Sequence, residues 1–491
     1  VVHTTTMGVF HKKLKNDFFT LKLVMPFINT YNSRNIVSEI YNNQFYKTYV
    51  YKVYGYGNNK HGKLGISSHD IIVYNPQKVL IEEKIKVIKI YDNRTYFITI
   101  NGEVYACGGN KYGQLGVGSY DKVVHVPHKV LLEEKIKDIK IYKYNQTYFI
   151  TVNDMAYACG NNEYGQLGIG SYEYYYMRTP QKVLIEEKIK DIKIHVDQTY
   201  FITINNEVYA CGVNVYGQLG IGSHNKVVCI PQKVLIEEKI KNIKLYMNRT
   251  YFITINDELY ACGNGEYGQL GIGSDSEFVC IPQKVLIEEK IKDITLKYGQ
   301  IYFITINGKV YACGINKYGQ LGIGSHTKYV HVPQKVLLEE KIKDIKDDWD
   351  QTYFITFDNK VYACGNNNYG QLGIGSRNKV ACIPQKVLIE EKIKDIKIHE
   401  DQTYFITINN EVYACGDNNV GQLGIGSCNK VACIPQKVLI EEKIKDIKCY
   451  CYYTYFISIY DEVYGCGKNE YGQFVNGLHN KVVCIPQKIK K

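Results

Sequence analysis

The chain is an array of repeats, and that alone restricts what it can fold into. The block Tyr-Gly-Gln-Leu-Gly-Ile-Gly, or a close variant, recurs with its first glycine at positions 62, 113, 165, 217, 268, 319, 370, 421 and 472. The steps between them are 51, 52, 52, 51, 51, 51, 51 and 51 residues. Nine of the ten prolines keep the same beat, from Pro76 and Pro127 to Pro435 and Pro486. A fixed period of this length marks one supersecondary unit copied many times, not a set of unrelated domains. The chain therefore reads as a segment 1–30 outside the pattern and one repeat domain over 31–491. That domain has a divergent first unit at 31–77 and eight regular units at 78–491.

Residues 386–436 serve as the type unit. From Asp395 to His399, Ile alternates with Asp, Lys and His, the period-2 mark of a half-buried strand. Thr403 to Ile408 is β-branched and aromatic, Asn409-Asn410 follows, and Val412 to Cys415 is again strand-like, so the two runs form a hairpin. A fourth strand spans Lys430 to Ile434 and is closed by Pro435. The stretch Gly416 to Ser427 between the third and fourth strands holds four glycines and needs backbone angles that other residues avoid. A helix over the Lys-Val-Leu-Ile-Glu-Glu-Lys segment lacks a capping residue, so at most a turn is expected at Glu390-Glu391.

One such unit cannot stand alone. Ordering it costs about 75 kcal/mol at roughly 1.5 per residue, which calls for about 3,000 Å² of apolar burial at about 25 cal/mol/Å². A four-stranded sheet reaches that only if both faces are covered by neighbours, and radial repetition supplies this while leaving short edges. The expected fold is all-β: a β-propeller of four-stranded antiparallel blades, with about seven to nine repeat units of roughly 51 residues.

Composition excludes several function classes. Lys and Arg total 60 against 49 Asp and Glu, a net charge of +11, but only Arg34, Arg94, Arg178, Arg249 and Arg377 are arginines. Bidentate reading of phosphate or guanine favours Arg, so dedicated nucleic-acid binding is disfavoured. The longest apolar stretch, Phe18 to Ile28, is short and broken by Lys22 and Pro26, so no membrane helix is expected.

Candidate chemistry dissolves into the repeat. Glu-Glu recurs in every regular unit, from Glu82-Glu83 to Glu441-Glu442, each time followed by lysines, and reads as a charge-balanced solvated edge. Of sixteen cysteines, eight occupy one strand position (Cys107 to Cys466) and five precede Ile-Pro (Cys229, Cys280, Cys382, Cys433, Cys484). Eight and five do not pair off, and no Cys-x-x-Cys occurs, so buried thiols are expected, with neither a metal site nor a cofactor. Unpaired cysteines and no signal peptide point to an intracellular setting, cytoplasm or nucleus. The sequons at Asn93, Asn145 and Asn248 read as accidents of the repeat. No catalytic constellation is found, and the chain reads as a non-enzyme.

At the third strand and the glycine block the sequence resembles the regulator-of-chromosome-condensation propeller family. The carrying residues are Val104-Tyr105-Ala106-Cys107-Gly108 followed by Tyr112-Gly113-Gln114-Leu115-Gly116. The match recurs from Val208, Val310, Val361, Val412 and Val463, and with Leu259 or Ala156 in the valine position. The resemblance implies that the glycine block locks blade against blade and carries no chemistry. Two features depart from the family: its Trp before the Gly is Cys in all eight units, and its His at the start of the second strand is Gln (146, 198, 300, 351, 402) or Arg (94, 249). The family's prototype has seven blades, whereas nine copies of the motif stand here.

The units agree nearly everywhere except in two windows. One lies between the first and second strands and offers Tyr144, Tyr246, Tyr298, Trp349 and Tyr450; the other follows the glycine block and includes Tyr174, Tyr175 and Tyr176. Windows at fixed phase lie on one rim, and exposed aromatics there suit partner binding. The first functional reading is a protein-interaction scaffold binding a partner, or itself, through that rim. Two alternatives stand beside it. One is a self-assembling structural protein, such as a virion component of a large DNA virus, suggested by the Lys-, Asn- and Tyr-rich composition. The other, implied by the resemblance, is a guanine-nucleotide exchange factor for a Ran-like small GTPase.

Overall fold

The structure is a computed structural model that describes residues 53–173, 175–297, 299–428, 430–474 and 481–489. The segment 1–30, residues 31–52 of the divergent unit, Tyr174 and Tyr298 lie outside the described residues. Eight four-stranded antiparallel sheets follow one two-stranded sheet, each with its strands in chain order. No described residue is helical, and Glu390-Glu391 lies in an irregular connection. The fold is thus all-β, of the β-propeller class with four-stranded blades. Of the divergent unit, only Tyr54–Asn58 and Ile72–Lys78 appear as strands among the described residues.

In the type unit the strands are Ile393–His399, Gln402–Thr407, Val412–Asp417 and Val431–Lys437. The second strand is buried throughout, because it has a neighbouring strand on each side and a neighbouring sheet on each face. The fourth strand corrects one expectation: it runs through Pro435 instead of ending there. Ala414 pairs with Gln436 and Gly416 with Ala432, so Cys433, Ile434 and Pro435 bulge out opposite Cys415 alone. A proline on an edge strand at a bulge leaves no ladder donor missing.

The core lies between blades. One apolar cluster joins Tyr353, Ile355 and Leu372 of one blade to Ile396, Phe405 and Cys415 of the next. Another joins Tyr404, Ile406 and Leu423 to Ile447, Phe456 and Cys466. By its contacts the chain divides at Ile291/Lys292 into two compact units, and the same junction recurs within each.

That junction explains the sequence's beat. Gly373 has φ +69°, and a Cβ there would stand 2.9 Å from Cγ of Pro435 and 3.2 Å from Sγ of Cys415, both in the following blade. At Gly370, φ +72°, a Cβ would meet Cα and Sγ of Cys433 at 2.8 Å. The backbone carbonyl of Gln371 between them accepts from the Tyr353 hydroxyl at 2.7 Å and from the Cys415 thiol at 3.1 Å. Tyr353 Oη also lies 2.7 Å from Oγ1 of Thr403, and the Tyr353 ring meets Phe405 edge-on at 6.0 Å. The same hydroxyl pairing joins Tyr96 to Thr147, Tyr148 to Thr199, Tyr200 to Thr250, Tyr302 to Thr352 and Tyr404 to Thr454. The strand cysteines are thus buried weak donors in a packed seam, and burial drives the Cys415 thiol well above its ordinary value.

Replacing Gly370 by Val should therefore cost about 2 kcal/mol or more, since it adds a β-branched side chain both at a left-handed backbone angle and against the next blade's backbone. The urea midpoint should fall accordingly; an unchanged midpoint would mean that the glycine loop is not what locks the blades.

Candidate functional site

Chain direction places both variable windows at one end of each blade. The first strand ends where the second begins (His399 pairs with Gln402), and the second strand's start pairs with the third strand's end (Gln402 with Gly416). The fourth strand starts from that same end, where Gly416 pairs with Ala432. The hairpin tip and the loop after the glycine block therefore emerge together.

The tips are held by a uniform device. In six blades the residue opening the second strand is buried, and its side chain donates to the tip carbonyl of the following blade. Gln351 Nε2 reaches Glu400 O at 2.5 Å, Gln402 reaches Cys451 O at 2.8 Å, and Gln300 reaches Trp349 O at 2.6 Å. In the N-terminal unit Gln146 holds Val196 at 3.1 Å, Gln198 holds Met247 at 3.2 Å, and Arg94 Nη2 holds Tyr142 at 2.7 Å. The glutamine of the glycine block adds to this: Gln320 Nε2 lies 3.3 Å from Trp349 O and Gln371 Nε2 lies 3.1 Å from Asp401 Oδ1. The Gln and Arg that stand in place of the family's His are thus the anchors of the variable surface.

The nominated residues fall into three groups. Trp349 is 65% exposed at a tip whose carbonyl carries two of these bonds. Tyr144, Tyr175 and Tyr176 are also exposed, although Tyr176 opens a fourth strand and meets the Tyr112 ring edge-on at 5.0 Å. Tyr246 and Tyr450 end first strands instead of occupying tips. Tyr246 is half-buried beside the Arg249 guanidinium, and Tyr450, though exposed, stacks on Tyr453 at 4.9 Å. Tyr246 and Tyr450 are thus packed against neighbouring side chains. Tyr174 and Tyr298 lie outside the described residues.

Within the C-terminal unit the first strands border a cleft of about 440 Å³ lined by Lys297, Lys346, Lys397, Lys448 and Asp347, among others. Its walls are charge-balanced: Lys346 and Lys397 each bridge two aspartates on successive first strands, Lys397 reaching Asp395 at 3.3 Å and Asp446 at 3.2 Å. The Asp347 side chain is fully buried, with the Lys297 ammonium 3.6 Å from Oδ1. Burial pushes its carboxyl up from 3.8 to about 7, against the pull of Lys297.

The paired glutamates also differ from their expected role. In five blades the second of the pair is an acceptor for the tyrosine of the third strand, as in Tyr413 to Glu391 at 2.5 Å, Tyr209 to Glu187 at 2.5 Å and Tyr260 to Glu238 at 2.7 Å. Partial burial and that carboxylate raise the Tyr413 phenol to about 12. Beyond the glycine block, one residue meets the next blade's fourth strand, and its partner varies. His69 meets His125, Tyr120 meets Arg178, His224 meets Cys280, and His326 meets Cys382. At the last such position Cys428 and Cys484 form a disulfide, with 6.0 Å between Cα atoms. Counting cysteines by strand position hid this pair, because Cys428 belongs to neither set; its seat opposite the Cys-Ile-Pro position was the available signal.

Comparison with known proteins agrees with this architecture. The RCC1-like domain model matches residues 198–491, and models of the regulator of chromosome condensation (RCC1) repeat match 85–114, 101–141 and 153–202. The chain is similar to the ultraviolet-B receptor UVR8 of Arabidopsis thaliana, 31% identical over 279 residues, 55% of this chain and 62% of the relative. It is 28% identical to the secretion-regulating guanine nucleotide exchange factor of Bos taurus, over 55% of this chain and 61% of the relative. It is likewise 28% identical to the E3 ubiquitin-protein ligase HERC2 of Homo sapiens, over 74% of this chain but 8% of that protein. The chain thus spans about three fifths of the first two relatives and a small part of the third.

Two measurements check the site's chemistry. Asp347 is more basic folded than unfolded, so the folded state holds the extra proton and stability falls as pH rises from about 4 to about 7. Asp347→Asn should remove that dependence and stabilise the protein at pH 7, by on the order of a few kcal/mol. Denaturant midpoints at about pH 5 and pH 7.5 that shift equally in both proteins would refute the assignment. Separately, thiol titration of denatured, unreduced protein should find 14 free thiols of the 16 cysteines. Finding 16 would exclude the disulfide.

Proposed function

Because the chain belongs to the RCC1-like domain family, we propose that it is a protein-binding scaffold whose hairpin tips form the partner surface. One observation carries this reading: side chains at the tips differ from blade to blade, while at six tips the backbone beneath them is held by the same kind of buried side-chain bond. Neutral drift in a slack loop would need no such anchor. A pinned backbone presents its side chains at little ordering cost, which favours affinity. Trp349, broad and exposed on a tip bonded twice, is the strongest anchor for a partner. The role needs no catalytic group.

Guanine-nucleotide exchange on a Ran-like small GTPase is the second reading, favoured by the name of the Bos taurus relative. The motif spacing stays at 51 or 52 residues, so the regular units have no room for a long protrusion from one blade. GDP release from such a GTPase should be unchanged by this protein at catalytic concentrations; acceleration would replace the scaffold reading by this one.

The scaffold reading is tested by Trp349→Ala. Its bonds to Gln300 and Gln320 are made by the backbone carbonyl and survive the change, so stability should move by only about 0.5 kcal/mol. Association, whether with a partner co-purified from cell extract or with itself by light scattering, should weaken by about 2 kcal/mol or more. If Trp349→Ala changes nothing while the outer-edge variant Lys392→Glu abolishes association, the tips are not the surface.

A further inference from the structure

We propose that His399, Glu400 and Cys451 form a binding site for a single divalent transition-metal ion of the zinc class. The three side chains come from two neighbouring hairpins, His399 at the end of a first strand and Glu400 at its tip in one blade, and Cys451 at the tip of the next. Their ligand atoms all lie within 4.8 Å of one another, the one such group among the described residues.

The donor set decides the class of ion. One thiolate, one imidazole and one carboxylate suit a borderline-soft divalent cation, not calcium or magnesium, which take oxygen ligands. Three protein ligands leave a fourth position open to water or to a partner's side chain. Ligand atoms around tetrahedral zinc stand roughly 3.5 Å apart, so closure asks for about 1 Å of movement. Glu400 and Cys451 are exposed and can rotate to supply it. Their backbones need not move, since Gln351 already holds the Glu400 carbonyl and Gln402 the Cys451 carbonyl. Nδ1 of His399 is buried and makes no hydrogen bond among the described residues, so no competing acceptor has claimed it.

The repeat supplies its own controls. At the matching junction, where His195-Val196 faces Met247 of the next blade, the histidine is kept but both other ligands are lacking, and Asp348-Trp349 lacks all but a carboxylate. His326 and Cys382 approach to 3.7 Å elsewhere, with no third ligand grouped with them. Binding exchanges the Cys451 S–H bond for a sulfur–metal bond and releases that proton to solvent; no redox change occurs.

The test uses the full chain with cobalt(II) chloride, and then zinc chloride, as the only added ligands, under a non-thiol reductant. Cobalt should bind with a thiolate-to-metal charge-transfer band at one equivalent per chain, and zinc should displace it. Cys451→Ser should abolish the band, and His399→Ala and Glu400→Gln should each weaken binding by about tenfold or more. His326→Ala should leave the titration unchanged. Circular dichroism of each variant should match the parent, as expected for changes at tips. Absence of the band in the parent chain, or a band unaltered by Cys451→Ser, would overturn the site.

Discussion

Everything in this molecule hangs on the seam between one blade's glycine block and the next blade's third and fourth strands. At the Gln371 carbonyl a tyrosine hydroxyl from its own blade and a thiol from the next converge, with Thr403 beside the same hydroxyl. Such a seam tolerates no Cβ at Gly370 or Gly373, because the neighbouring blade's Cys433 and Pro435 occupy that space. The 51-residue beat of Gly and Pro is therefore one constraint seen twice, from the two sides of a contact. Within each compact unit successive blades obey it as host and as guest, which is why the units of sequence stay nearly identical.

Uniform seams leave little room for difference, and the differences gather where the seam ends. Both variable windows emerge at the same end of a blade, as the up-down order of its strands requires. In six blades a buried Gln or Arg at the start of the second strand extends the seam's regularity one bond further, to the tip carbonyl of the next blade. What varies is then mostly side chain, with one extra residue in the tip at 142–145 and one in the loop after Gly165. This arrangement suits recognition: a stable frame, a repeated backbone, and a distinct residue at each tip. It also lets a single junction depart from the rest, as at Cys428–Cys484 and at the His399, Glu400 and Cys451 cluster.

Charge follows the same logic. Aspartates and lysines on the first strands pair from blade to blade, Lys140 with Asp191 and Lys397 with Asp446, each pair contributing little by itself at its partial exposure. Where the pattern is broken the consequence is local. Asp347 stands where other units have Ile, Leu or Cys, and it is a buried carboxyl whose one nearby cation, Lys297, does not fully offset its desolvation.

The sequence by itself determined the repeat, the all-β unit and the blade-stacked core, since period-2 alternation and the energetics of a thin sheet leave few other solutions. It also determined that the strand cysteines are thiols, because eight identical positions have no matching set to pair with. Only the tertiary structure decided what touches what across blades. That Pro435 lies within an edge strand depends on a bulge that propensity does not reveal. That Gln351 pins Glu400 joins residues 49 apart in different sheets. The Cys428 bridge and the His399–Glu400–Cys451 cluster likewise join residues about one repeat apart. Periodicity says what each unit is; the offset between stacked units decides which of their side chains meet, and that offset is a property of the packed core.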